Sequence, residues 1–148
     1  MRLLIQRVSW AEVQVDERPV GHIQKGLLVL VGFSEGDTPA LLPKAAHKLI
    51  HLRIFSDSEG RMNRSLREVG GGLLVVSQFT LYGELKKGFR PSFARAAPAE
   101  KAFPLYEAFI EEIRRQAPDL PVQTGEFGAI MKVSLCNDGP VTLWLELA

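Results

Sequence analysis

One cysteine, Cys136, is the only thiol in 148 residues. That excludes an internal disulfide, and with it a small secreted scaffold held by cross-links; a reducing compartment fits better. Inside an apolar run, Cys136 reads as a small buried residue, not a nucleophile. Charge of one sign is equally scarce, since 18 Lys and Arg against 17 Asp and Glu leave a net charge of +1. This balance excludes nucleic-acid binding through an overall basic surface, so any such role must come from a local patch. No apolar run approaches the roughly 20 residues of a membrane-spanning helix; Leu27–Phe33 is the longest near the front. Met1–Arg7 turns polar after three apolar residues, too soon for a secretory signal. Internal repeats, low-complexity tracts and linkers are also missing. Together with 46% apolar and 24% charged residues, these absences predict one cytoplasmic domain over residues 1–148, with no membrane role.

What is present reads as strands in runs around two helices. Leu3–Ile5 and Val8–Val15 give two β segments, Val20–Ile23 and Gly26–Phe33 two more, with Glu17-Arg18-Pro19 as turn material. Thr38 before Pro39 marks a helix start, and the spacing of Leu42, Ala45, Ala46, Leu49 and Ile50 carries that helix to about Leu52. Arg53–Phe55 is a short strand before a polar loop, Ser56–Asn63. Gly70-Gly71-Gly72 leads into a strand from Leu73 that ends in Ser77–Leu81. A second helix spans about Ala99–Gln116 on a stripe of Phe103, Tyr106, Phe109, Ile110 and Ile113, with Pro104 as a kink or a true first turn. Leu120–Thr124, Phe127–Cys136 and Val141–Leu147 complete the strands. The expected fold class is α+β, a largely antiparallel sheet that curls toward a barrel.

Several stretches carry polar chemistry. His47 and His51, four apart on a helix, have metal-ligand spacing, but the residues between them lack the glutamate of a zinc-protease helix, so a solvated face is the plainer reading. Ser77-Gln78-Phe79-Thr80 sets three hydrogen-bonding side chains and a ring on the end of a buried strand, where backbone N–H groups can be held in place. A strand running out into a polar loop gives the same pattern. Lys86, Lys87, Arg90 and Arg95 interleave with Phe89 and Phe93, a mix suited to the phosphates and stacked bases of single-stranded RNA, or to an ordinary solvated loop. Asn137-Asp138-Gly139-Pro140-Val141-Thr142 interrupts two apolar segments and reads as a hairpin turn. Proline after its glycine makes Gly139–Pro140 the natural place for a cis peptide.

Ser77–Leu81 and Asn137–Thr142 resemble the two signature motifs of the D-aminoacyl-tRNA deacylases. The likeness continues through Gln6-Arg7-Val8, Leu52–Phe55, Lys87–Phe93 and Thr124–Ala129, and so spans nearly the whole chain. It implies hydrolysis of the ester joining a D-amino acid to the 3′-terminal adenosine of tRNA, with no cofactor, no metal and no DNA partner. It further implies a homodimer in which a cis Gly139–Pro140 from one subunit reaches the other's pocket and excludes L-amino acids by sterics. Glycine, lacking a side chain, would then be poorly excluded. By the same resemblance Arg7, Asn137 and Thr142 brace that motif, while Ser77, Gln78, Phe79 and Thr80 surround the scissile ester. Ala102, Phe127 and Met131 correspond to an adenine pocket, and Lys86, Lys87 and Arg90 are assigned to acceptor-end phosphates from charge. The alternatives are a sister editing deacylase for small L-aminoacyl-tRNA and a non-catalytic RNA-binding dimer.

Overall fold

The computed structural model describes residues 1–148. Its spine is β1 (Arg2–Val15), whose first half pairs β3 (Gly26–Gly32) and whose second half pairs β2 (Arg18–Ile23), both antiparallel. Asp16 and Glu17 turn the chain between β1 and β2 with positive φ. After β3 come a short 3₁₀ turn, Pro39–Leu41, and helix α1 (Leu42–His51), so the predicted helix begins with a tighter turn that Thr38 precedes without a side-chain cap. Two short strands, β4 (Phe55–Ser56) and β5 (Met62–Arg64), and a one-turn helix α2 (Leu66–Val69) follow. β6 (Gly72–Ser77), a 3₁₀ turn at Phe79–Tyr82, helix α3 (Ala99–Gln116), β7 (Val122–Thr124) and β8 (Lys132–Glu146) complete the chain.

The sheet mixes pairings. β3–β6 and β6–β7 are parallel, while β1 pairs β2, β3 and β8 antiparallel. The long connection between β3 and β6, through α1 and α2, makes the parallel alignment possible. Three successive glycines serve that crossover. Gly70 ends α2 in the left-handed region at φ 62°, and Gly72 lies so close to Gly26 that a Cβ on Gly26 would come within 2.0 Å of the Gly72 carbonyl. Curling brings β2 against β7, where a Cβ on Gly21 would lie 2.3 Å from the Thr124 carbonyl oxygen. The outcome is the α+β, barrel-like sheet expected from the sequence.

Two apolar clusters lie on opposite faces of this sheet. The larger packs Leu3, Ile5, Leu27, Val29 and Val31 under α1 and α3, and the smaller gathers Val8, Ala11, Val13, Leu28, Leu74 and Val76. The stripe on α3 is buried through Tyr106, Phe109, Ile110 and Ile113, but Phe103 lies 42% exposed. Pro104 sits inside α3, which continues through it from Ala99 to Gln116.

Four sequence expectations need correction. β1 is one strand, not two segments, because its irregularities are bulges that keep it paired with β8. Asn137–Thr142 is not a hairpin turn: β8 runs on through it beside β1. Phe127–Ala129 stays outside the strand, which begins at Lys132. Cys136 is exposed, since β8 is an edge strand with no fully buried residue.

Candidate active site

β6 delivers the first motif. Its parallel register with β3 ends at Val31 beside Ser77, and the Gln78 N–H then donates to the Val31 carbonyl at 2.7 Å. The chain next tightens into the 3₁₀ turn, whose first internal bond runs from Leu81 N–H to the Gln78 carbonyl. The N–H groups of Phe79 and Thr80 precede that bond and have no acceptor within the turn. Arg2 holds the far end of the turn, donating to the Leu81 carbonyl at 2.8 Å while its guanidinium covers the Tyr82 ring at 4.4 Å. Thr80 is exposed, and its Oγ1 accepts a bond from Gln78 Nε2 at 2.5 Å.

Ser77, Gln78 and Phe79 open onto a largely apolar cavity of about 480 Å³. Ala102, Phe127 and Met131 line the same cavity, so six of the residues singled out from the sequence meet there. α3 supplies Ala102 near its start, where the small side chains of Ala97, Ala99 and Ala102 leave room. Phe127 is fixed from behind by Phe103 and Tyr106, with ring centroids at 5.0 and 5.7 Å. Gly125 allows Met131 its position, because a Cβ there would come within 2.6 Å of the methionine sulfur. Val31, Gly32, Phe33 and Ala129 also line the cavity. Among these, Ala129 closes a segment whose likeness to the deacylases was visible, whereas Phe33 carried no signal apart from its apolar strand.

Tyr106 ties this wall to the sheet. Its buried hydroxyl donates to the Val75 carbonyl at 2.7 Å, and burial pushes its pKa up to about 12. A raised tyrosine pKa means that the folded protein holds the phenolic proton longer than the unfolded chain. Stability from this group is therefore complete below about pH 10 and is lost as pH rises toward 12, by about 2–3 kcal/mol. Urea midpoints measured from pH 9 to 11.5 are expected to fall in the parent and to fall less in Tyr106→Phe. At neutral pH that variant is expected to lose about 1–2 kcal/mol for its missing hydrogen bond.

The second motif lies elsewhere on the chain. Val8 pairs with Asn137 and Gln6 with Thr142, so Arg7 alone stands opposite Asp138, Gly139, Pro140 and Val141, which bulge from β8. Arg7 is the brace: Nε donates to the Asp138 carbonyl at 2.9 Å and an Nη to the Ile54 carbonyl at 2.7 Å. Asn137 closes the bulge from within. Its Oδ1 accepts the Val141 N–H at 2.8 Å, and its Nδ2 donates to Thr142 Oγ1 at 2.9 Å. The Gly139–Pro140 peptide is cis, and Gly139 has φ 141°. None of Asn137–Thr142 lines the cavity of the same chain.

The remaining sequence candidates separate from both motifs. Lys86, Lys87 and Arg90 project from an exposed arm beyond the 3₁₀ turn. His47 and His51 are exposed on α1, with ring centroids 4.3 Å apart. Partial burial, with added charge from His47 and Arg67, lowers the His51 pKa.

The curled sheet with its two helices is a known architecture. It overlays a solved structure described as a probable eukaryotic D-amino acid tRNA deacylase, with a TM-score of 0.83 over 99% of this chain and 98% of that one. At 22% identity that likeness speaks for the fold alone. A second solved structure, described as c-Myc DNA Unwinding Element Binding Protein, matches with a TM-score of 0.93 and 39% identity, over 100% of this chain and 99% of that one. The D-aminoacyl-tRNA deacylase of Thermomicrobium roseum is 56% identical, covering 100% of this chain and 95% of that protein. The one from Chlorobaculum parvum is 55% identical over 99% and 97%. Residues 4–146 match the family model for D-Tyr-tRNA(Tyr) deacylase, and the chain belongs to that family.

Proposed function

We propose that the protein hydrolyses the ester bond of D-aminoacyl-tRNA, releasing the free D-amino acid and reusable tRNA. The observation that carries this reading is the meeting of Ser77, Gln78 and Phe79 with Ala102, Phe127 and Met131 around one cavity, in a chain of this family. An apolar slot with an aromatic wall suits a splayed terminal adenine. The strand-end motif then lies beside the ester, with the Phe79 and Thr80 N–H groups as donors to the oxyanion. An aminoacyl ester is already activated, so orientation and these donors suffice when the ribose 2′-OH assists.

Chirality is read by Gly139 and Pro140. With the substrate's ammonium and carbonyl held, backbone atoms crowding one direction at Cα reject every L-residue regardless of side chain. Glycyl-tRNA would escape that exclusion. Because the bulge lies outside its own chain's cavity, a second copy delivers it. The unpaired edge of β8 supports such a partner: 15 residues long, none fully buried, it exposes Leu143 at 38% and Trp144 at 50%. Long apolar edges are ordinarily covered. Lys86, Lys87 and Arg90 would neutralise acceptor-end phosphates, and a cytoplasmic location follows from the substrate.

Incubation with matched D- and L-aminoacyl-tRNA, following ester loss, tests the activity. Hydrolysis of the D form alone is the expected result; hydrolysis of L-alanyl-tRNA, or of neither, overturns it. Sedimentation at micromolar concentration is expected to give a dimer, and a monomer would count against delivery across an interface.

A further inference from the structure

The arm between Gly83 and Ala96 is more ordered at its base than a solvated loop requires. Glu84 and Ser92 exchange both backbone hydrogen bonds, at 2.8 and 3.0 Å. Phe93 packs edge-on against Phe79 of the cavity wall, with centroids 5.1 Å apart. Arg95 turns inward over the Tyr82 ring. The tip has the opposite character. Phe89 follows Gly88, a left-handed residue at φ 61°, and its side chain is 106% exposed. Lys86, Lys87 and Arg90 flank it, and none has a carboxylate within ion-pair distance. A rigid stalk thus presents one bare phenyl ring among three unpaired cations, on a chain whose net charge is only +1.

We propose that Phe89 stacks on a base of the unpaired 3′ end of the tRNA, one to three nucleotides before the terminal adenosine. The proposal rests on the deacylase reading, because it takes the adenosine to lie in the cavity. Geometry sets the register. Phe89 is four residues from Phe93, the ring that packs on the cavity wall, so their Cα atoms lie at most about 14 Å apart. Stacked bases rise about 3.4 Å each, so a base one to three steps from the adenosine falls within that reach. An aromatic face accepts any base, while the flanking cations track the backbone. The arm therefore supplies affinity without reading the amino acid, and lets one enzyme serve tRNAs of different acceptor sequence.

The test uses the full-length protein and a non-acylated acceptor-stem RNA with 2-aminopurine in its unpaired 3′ end. Wild type is expected to quench the fluorophore, whereas Phe89→Ala is expected to bind about 5- to 150-fold more weakly without quenching. Phe89→Trp is expected to restore both. The logarithmic salt dependence is expected to stay unchanged in Phe89→Ala. Removing one phosphate-contacting lysine is expected to lower that slope by about 0.7. In turnover, Phe89→Ala is expected to raise KM for D-aminoacyl-tRNA while hydrolysing D-aminoacyl-adenosine as wild type does. Equal RNA binding by wild type and Phe89→Ala would overturn the proposal, as would an equal loss on the nucleoside ester. A wild type that binds through Phe89 but hydrolyses neither ester would leave stacking standing and remove the deacylase reading instead.

Discussion

Thr80→Ala is expected to keep deacylation within about tenfold of the parent, while a D-aminoacyl-tRNA ending in 2′-deoxyadenosine is expected to lose about 10²–10⁴-fold. The two halves of this result share a cause. A threonine nucleophile needs a base to take its proton. Thr80 Oγ1 instead accepts from the Gln78 amide, a neutral donor that cannot play that part. The side chain is exposed, and only the preceding three residues of the motif line the cavity. In the proposed mechanism Thr80 contributes its backbone N–H, which alanine retains. The ribose hydroxyl, in contrast, neighbours the ester whatever the protein does. Single-turnover rates on both substrates decide the matter. An inactive Thr80→Ala together with an undiminished deoxy substrate would transfer the chemistry to the threonine.

The other large effect is expected at Arg7. Its guanidinium is the only side chain bonded both to the bulge, through Asp138, and to the loop at Ile54. Arg7→Ala removes donors from two carbonyls and leaves Asp138–Val141 tied only by Asn137 and the flanking strand pairs. Misplacement of about 1 Å at a reacting centre can cost 10²-fold, and that is the loss expected in kcat/KM for the D-substrate. Activity on matched L-aminoacyl-tRNA is expected to fall less or to rise, narrowing the D-to-L ratio by tenfold or more. Arg7→Lys is expected to rescue little, since an ammonium lacks the planar fork that spans two acceptors. An unchanged ratio in both variants would separate Arg7 from stereochemical control.

Most of the fold could be read from alternation and helical spacing, because those periods report directly which side meets the core. β3, α1, α3 and the apolar half of β6 lie close to where their patterns put them. Failures cluster where a tertiary partner overrides the local signal. Asn137–Thr142 has turn chemistry, yet pairing with β1 on both sides keeps it inside one strand. Phe103 belongs to the helical stripe by spacing but stays part-exposed and packs against the Phe127 ring. Cys136 reads as buried among apolar neighbours, but on this edge strand the alternation packs Val133 and Leu135 inward and leaves Cys136 exposed. α2 was missed although its capping box, Ser65 with Glu68, was present in the sequence. The cavity residues emerged through likeness to a family; composition alone would not have joined Ala102 on α3 to Met131 before β8. Arg2 gave no sign, and Phe33 none beyond its place in an apolar strand.

The bulge opposite Arg7 has one more consequence. Before it, Val133 and Leu135 pack toward the smaller cluster; after it, Val141, Leu145 and Leu147 pack toward the larger. All five positions are odd-numbered, so the strand rolls over as it passes the motif. Excising Asp138–Val141 and joining Asn137 to Thr142 would restore plain alternation and aim Leu145 and Leu147 at the wrong face. The segment proposed to read chirality is also the swivel by which one strand serves both cores. A shortened chain would lose its shape, which leaves substitution, not deletion, as the way to test the proposed selectivity of this segment.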